Sequence, residues 1–190
     1  VGDALGYSCS IENDANSAAY AELGTTAVSG DAAEDEETNA VYLSLSNTVG
    51  GSICFGGQLY PGDNFKSGEF GHMVIEKNGR QCYCGKQGCM DAYCSALVLQ
   101  ENTDGSLEKF FARVRQKNQD LLKVWDRYLD DLATAVTNLR MIFDCRIVLG
   151  GYVGGYLEEF MPELSRKVMQ YNNFDVDTSY LRTGKYKLNA

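Results

Sequence analysis

The sequence predicts a mixed α/β layer fold. Three observations carry this: apolar residues alternating at Val41, Leu43 and Leu45, a 3.6-residue apolar stripe between Asp120 and Phe143, and a short apolar run, Arg146 to Leu149, that exits through Gly150-Gly151. Alternation over so short a stretch suits a half-buried strand. The stripe, Leu121, Val124, Trp125, Tyr128, Leu132, Val136 and Leu139, suits one buried face of a long helix.

The elements follow in order. Ala15 to Leu23 has helical spacing, with Asn13 and Asp14 before it as caps and Gly24 as a stop. Asp31 to Glu37 is an acidic run that reads as a solvated loop. The strand at 41–45 leads through a polar stretch to a second apolar segment, Ile53 to Phe55, whose Gly56-Gly57 exit is a hairpin signal. His72 to Glu76 reads as another strand, closed by Asn78-Gly79. From Asp91 the pattern is helical through Leu99, again from Leu107 to Val114, and then along 120–143. Leu157, Phe160, Met161, Leu164 and Val168 mark a last helix.

Composition narrows the function classes. The chain has 190 residues, 44% hydrophobic and 23% charged, which excludes disordered and collagen-like classes. No apolar run approaches the roughly 20 residues that span a bilayer, and Val1-Gly2-Asp3-Ala4 lacks a signal-peptide pattern, so a cytoplasmic protein without membrane partners is expected. A net charge of −9 without a clustered basic patch argues against direct nucleic-acid contact.

Seven cysteines in a chain of this kind point to metal or chemistry rather than disulfides, and four of them lie between positions 82 and 94. Cys82-x-Cys84-Gly85-x-x-Gly88-Cys89 gathers three thiols, with two glycines to permit a tight knuckle. Structural zinc wants four soft or borderline ligands, and His72, the only histidine, supplies a fourth. Cys94 competes for that place, and a compact loop of unliganded thiols is the alternative. Cys9, Cys54 and Cys145 stand apart and read as buried thiols.

Three other groups carry candidate chemistry. Glu12-Asn13-Asp14-Ala15-Asn16 offers a carboxylate with amides beside it, suited to hydroxyl recognition and proton abstraction; helix capping explains the same residues. Glu69, in Gly68-Glu69-Phe70-Gly71-His72, places a charge acceptor three residues before the imidazole, or is simply a solvated strand-edge residue. Ser46-Asn47-Thr48-Val49-Gly50-Gly51 is a polar turn able to cradle phosphate oxygens, or a plain hairpin turn.

Taken in order, these motifs resemble the ROK family of repressors, open reading frames and sugar kinases. The resemblance rests on Glu12 to Asn16, on Gly62 through Gly68-Glu69-x-Gly71-His72, on the cysteine motif and on Leu149-Gly150-Gly151. It implies an actin-like (ribonuclease H-like) ATPase fold, of which this chain is the second lobe with a zinc-binding loop. It also implies that Asn13 and Asp14 bind sugar hydroxyls, with Asp14 as the base in a kinase. Glu69 and His72 would contact the sugar, and His72 would join Cys82, Cys84 and Cys89 on structural zinc. Thr48 and Gly50 would meet phosphates, and Gly150 and Gly151 the adenosine.

The sequence departs from the family at three places. Asn47-Thr48-Val49 stands where kinases usually have Gly-Thr-Gly; Asp91, one methylene shorter, stands where a sugar-binding Glu is common and is implied as a sugar ligand of altered preference; and neither an Asp-Gly-Gly phosphate loop nor a helix-turn-helix segment is present. The resemblance thus implies residues 1–190 as one C-terminal lobe, its partner lobe and any DNA-binding domain lying elsewhere in a longer, homo-oligomeric protein. DNA would be reached only through such a helix-turn-helix. The altered turn favours the zinc-containing, sugar-binding effector domain of a transcriptional regulator. The Asn13-Asp14 pair favours the alternative, an ATP- and Mg2+-dependent kinase of hexoses or N-acylhexosamines.

Overall fold

The structure, a computed structural model, describes residues 4, 6–7, 12–23 and 39–186. Gly24, the acidic run at 31–37 and Cys9 lie outside the described residues.

A five-stranded mixed sheet in the order β3-β2-β1-β4-β5 forms the centre. β1 (Ala40–Leu45) pairs antiparallel with β2 (Val49–Phe55) and parallel with β4 (Arg146–Gly150). β2 turns through Gly56 (φ 58°) and Gly57 (φ 76°) into β3 (Gln58–Leu59), and both positive angles suit a two-residue hairpin that follows the strand twist. β5 (Leu181–Thr183) joins the far edge parallel to β4.

Alternation divides β1 between two layers. Val41, Leu43 and Leu45 enter the main core, whereas Tyr42 packs with Val148 and Ala19 beneath helix α1 (Asp14–Leu23). The main core also takes one face of α5 (Gln119–Phe143), where Leu121, Trp125, Tyr128, Leu132, Val136 and Leu139 are buried together with Leu129, Ala133 and Ala135. Val124 lies only partly buried. Asn118 caps α5 by accepting the Leu121 N–H at 3.1 Å, and Asp144, in the left-handed region at φ 44°, ends it.

Two segments differ from the sequence expectation. His72 to Glu76 is not a ladder strand: Phe70–His72 is a 3-10 turn, and Val74 makes only an isolated bridge to Cys89. Its backbone groups are taken by the cysteine loop, through Ile75 N–H to Gly88 O at 2.9 Å and Met90 N–H to Met73 O at 2.8 Å, which leaves no row of partners for a sheet. The predicted helix from Asp91 to Leu99 is two helices, α2 (Asp91–Cys94) and α3 (Ala96–Gln100), broken where Ser95 is extended. The break has a tertiary cause. Ala96 N–H donates to Ser46 O at 2.8 Å, and the buried Tyr128 hydroxyl donates to the Cys94 carbonyl at 2.6 Å.

α4 (Leu107–Arg115) follows, capped by Ser106. After β4 the glycine-rich segment forms α6 (Gly151–Leu157), then a 3-10 turn (Glu158–Phe160) and α7 (Met161–Tyr171). α7 is tied to α5 by the buried Lys167, whose ammonium meets Asp126 at 2.6 Å and Asp130 at 2.7 Å.

Asp131, on α5, gives a pH prediction. Burial foremost pushes its carboxyl up to about 6, with the Arg80 charge opposing and Asp130 and Glu76 adding to the rise. A raised acid pKa means that the folded state holds its proton longer, so stability falls as pH rises from about 4 to about 6 and is level above. Asp131→Asn should therefore be more stable than the wild type by about 1 kcal/mol at pH 8, allowing for partial solvent exposure, and indistinguishable from it at pH 4. Denaturant melts of both proteins at the two pH values measure this, and an unchanged difference between them would refute it.

Candidate functional site

The carboxyl ends of the parallel strands β1 and β4 open at the same edge of the sheet, where ligand crevices form in α/β folds. The Ser46-Asn47-Thr48 turn leaves β1 there and Gly150-Gly151 leaves β4. The two are in contact: a Cβ on Gly151 (φ 75°) would lie 2.7 Å from both Leu45 N and Ser46 Oγ. Thr48 and Asn47 are exposed. The Tyr42 hydroxyl lies directly under Gly150, and burial, then the Glu22 charge, push its pKa up, with the Gly151 N–H opposing. Tyr42 was not singled out from the sequence because its place in β1 made it look like a surface residue of an alternating strand.

β2 gathers the other groups at its start. A Cβ added to Gly50 would meet Ala15 of α1 at 3.2 Å, so the beginning of α1 sits beside that residue. The neighbouring Val49 and Gly51 instead face the Gly68-to-His72 segment. A side chain on Gly71 would collide with Val49 O, and one on Gly68 (φ 77°) with Gly51 O. Those two glycines let the segment lie against the strand and present Glu69, which is exposed.

At the start of α1 the two neighbouring residues divide their work. Asn13 is the cap: its Oδ1 accepts the N–H groups of Ala15 (2.9 Å) and Asn16 (3.3 Å). Asp14 takes only the N–H of its immediate neighbour Ala15, at 2.8 Å, and is exposed. Glu12 accepts from Asn16 Nδ2 and from Asn13 N–H, in that order of effect, which holds its carboxyl below the usual range. Asn16 in turn accepts from Ser52 of β2 at 2.7 Å, fixing α1 to the strand.

The cysteine loop brings its predicted residues together. Ligand atoms of His72, Cys82, Cys84 and Cys89 all lie within 4.8 Å of one another. The Cys84 and Cys89 sulfurs are 3.7 Å apart, close to the edge of about 3.8 Å for a tetrahedron with Zn–S bonds near 2.3 Å. Gly85 and Gly88 both have positive φ, at 86° and 83°. Burial first, then the hydrogen-bonded Cys84 and Cys82 sulfurs, push the Cys89 thiol up to about 12, whereas the Lys86 backbone N–H lowers Cys84. Three thiols and an imidazole with these separations fit a divalent cation, whose charge favours the thiolate forms.

Cys94 is not in this group. It is fully buried, and its thiol is raised by desolvation. Cys54 and Cys145 are buried, as expected. Tyr83, which the sequence reading passed over, places its hydroxyl 3.3 Å from His72 Nε2 with the rings edge to face at 5.4 Å. Its position inside the cysteine motif was the available signal.

Asp91 is largely enclosed. It is 6% exposed, and its Oδ1 accepts the Val49 N–H at 2.6 Å. Desolvation foremost raises its pKa, opposed by that N–H and by His72.

Residues 1–188 match the pattern of the ROK family. The chain belongs to the ROK family. N-acetylmannosamine kinase of Escherichia coli O139:H28 is 31% identical over 154 residues, covering 76% of this chain and 50% of that protein. The enzyme of that name from Shigella flexneri matches equally. The chain thus spans about half the length of these curated ROK relatives. Among solved structures, a ROK hexokinase from Thermus thermophilus is 26% identical at a TM-score of 0.74, over 97% of this chain and 62% of that one. A ROK transcriptional regulator, a homologue of the E. coli MLC protein, aligns at the same TM-score and 19% identity, over 97% of this chain and 50% of that one, and shows the shared fold. That fold is the actin-like, ribonuclease H-like one, built on a mixed sheet. Among the described residues, no helix is long and apolar enough to cross a membrane.

Proposed function

We propose that this chain is the zinc- and sugar-binding second lobe of an ATP-dependent sugar kinase acting on a hexose or N-acylhexosamine. The observation that carries this reading is the division of labour at α1. Asn13 caps the helix, so Asp14 is spared that task and stands exposed beside the strand ends with its carboxylate available. The two curated relatives described above are N-acetylmannosamine kinases, which agrees in substrate class.

On this reading Asn13 and Glu69 hold sugar hydroxyls, and Asp14 takes the proton from the hydroxyl as its oxygen bonds to the γ-phosphorus and ADP departs. Thr48, Gly50 and the Gly150-Gly151 exit face the nucleotide, whose phosphates are shared with the partner lobe. His72, whose Nε2 lies 3.3 Å from the Tyr83 hydroxyl, joins the metal group. Bound there with Cys82, Cys84 and Cys89, zinc supplies structural cross-linking of the loop that presents the sugar side of the cleft.

A second reading has one specific observation behind it. The Val49 N–H, where kinases usually have glycine, is already bonded to Asp91 and its side chain is buried, which withdraws one phosphate donor and suits a sugar-sensing regulator. Full-length protein with a panel of hexoses and N-acylhexosamines separates the two. The kinase reading expects sugar-dependent ADP release; sugar binding without any release would replace it with the regulator.

A further inference from the structure

We propose that Asp91 is a positioning residue that clamps the Ser46–Thr48 turn and couples it to the metal loop. The turn is held at both ends by the same helix pair. At its exit the Val49 N–H donates to Asp91 Oδ1 at 2.6 Å in a buried setting, and at its entrance Ser46 O accepts from Ala96 N–H at 2.8 Å. The second bond is possible only because the helix is interrupted at Ser95, which turns the Ala96 N–H away from its own helix. The interruption between α2 and α3 thus has a use: it aims one side chain and one backbone donor at a single three-residue turn.

The other end of the path is the cysteine loop. Asp91 follows Cys89 by two residues, the Ala92 N–H bonds back to Cys89 O at 3.0 Å, and Met90, fully buried, donates its N–H to Met73 O, one residue after His72. Two of the four metal-group residues therefore set the backbone from which Asp91 reaches the turn. A glutamate at this position would be one methylene longer and would overshoot a contact already at 2.6 Å, so the shorter side chain matches the clamp. Desolvation of the Val49 N–H makes the clamp consequential, because no water replaces a lost acceptor there.

The clamp rests on geometry alone; its effect on nucleotide rests on the kinase reading. Amide hydrogen exchange of the full chain tests the first without sugar or nucleotide. Asp91→Ala should speed exchange at Val49 by at least about tenfold, whereas Asp91→Asn, which keeps an acceptor oxygen, should stay within about threefold of the wild type. Stripping metal with a chelator should speed the same amide in the wild type. Unchanged Val49 exchange in Asp91→Ala would overturn the clamp, and so would equal acceleration in the two variants. Titration of the full-length protein then reads the consequence. Asp91→Ala should weaken binding of a non-hydrolysable ATP analogue about tenfold and Asp91→Asn should leave it within about threefold of the wild type; loss of sugar affinity in both variants with Val49 exchange unmoved would make Asp91 a sugar ligand instead.

Discussion

Purified without chelators, the protein should carry about one zinc per chain, and Cys89→Ser should empty the site and unfold the loop from residue 73 to 90. The effect is expected to be among the largest of any single substitution. Apparent zinc binding in small structural sites is worth about 10–16 kcal/mol, comparable to the whole stability of a typical domain at about 5–15 kcal/mol. Apart from short-range backbone hydrogen bonds the loop makes isolated bridges rather than a ladder, Tyr83 is exposed, and Cys82, Cys89 and Met90 are its buried anchors. Because α2 begins directly after Met90, collapse should spread to the helices that grip the Ser46–Thr48 turn. Elemental analysis and thermal melts measure both effects. Cys94→Ser is the control: Cys94 is as buried as Cys89 yet outside the ligand group, so it should lose stability while keeping zinc. Less than about half a zinc per chain in the wild type would contradict the four-residue assignment, as would equal zinc loss from Cys94→Ser.

Much of this architecture was legible in the sequence, and the remainder fails for identifiable reasons. β1, α5 and the Gly56-Gly57 hairpin are local features, whose periodicity and turn chemistry agree with their tertiary setting. The clustering of His72, Cys82, Cys84 and Cys89 was legible too, because three of the four sit within eight residues. What escaped depends on partners far along the chain. The strand expected at His72 to Glu76 had the right alternation, with Val74 exposed between the partly buried Met73 and Ile75, but its hydrogen bonds go to the cysteine loop. α6 was missed because three of its seven residues are glycine, a poor helix former, and packing on β4 and β1 overrides that preference. The break at Ser95 and the engagement of Asp91 hinge on bonds to Ser46 and Val49, which no local pattern encodes.

On the kinase reading, Asp14→Asn in the full-length protein should reduce turnover by about a thousandfold or more while leaving sugar affinity within a few-fold of the wild type. The structure makes this substitution unusually clean. The bond from the Ala15 N–H to Asp14 Oδ1 survives in asparagine, and the cap belongs to Asn13, so α1 has no reason to fray. What changes is the ability to accept a proton. Asn13→Ala should behave in the opposite way, costing about 1 kcal/mol of stability through the lost cap and weakening sugar binding as well. The contrast separates chemistry from capping at adjacent positions. Single-turnover kinetics with saturating sugar and ATP, beside calorimetric sugar titration, measure the two effects independently. If Asp14→Asn keeps more than about a tenth of wild-type turnover, Asp14 does not act as the base; if its turnover and sugar affinity fall together, its role is hydroxyl binding rather than proton transfer.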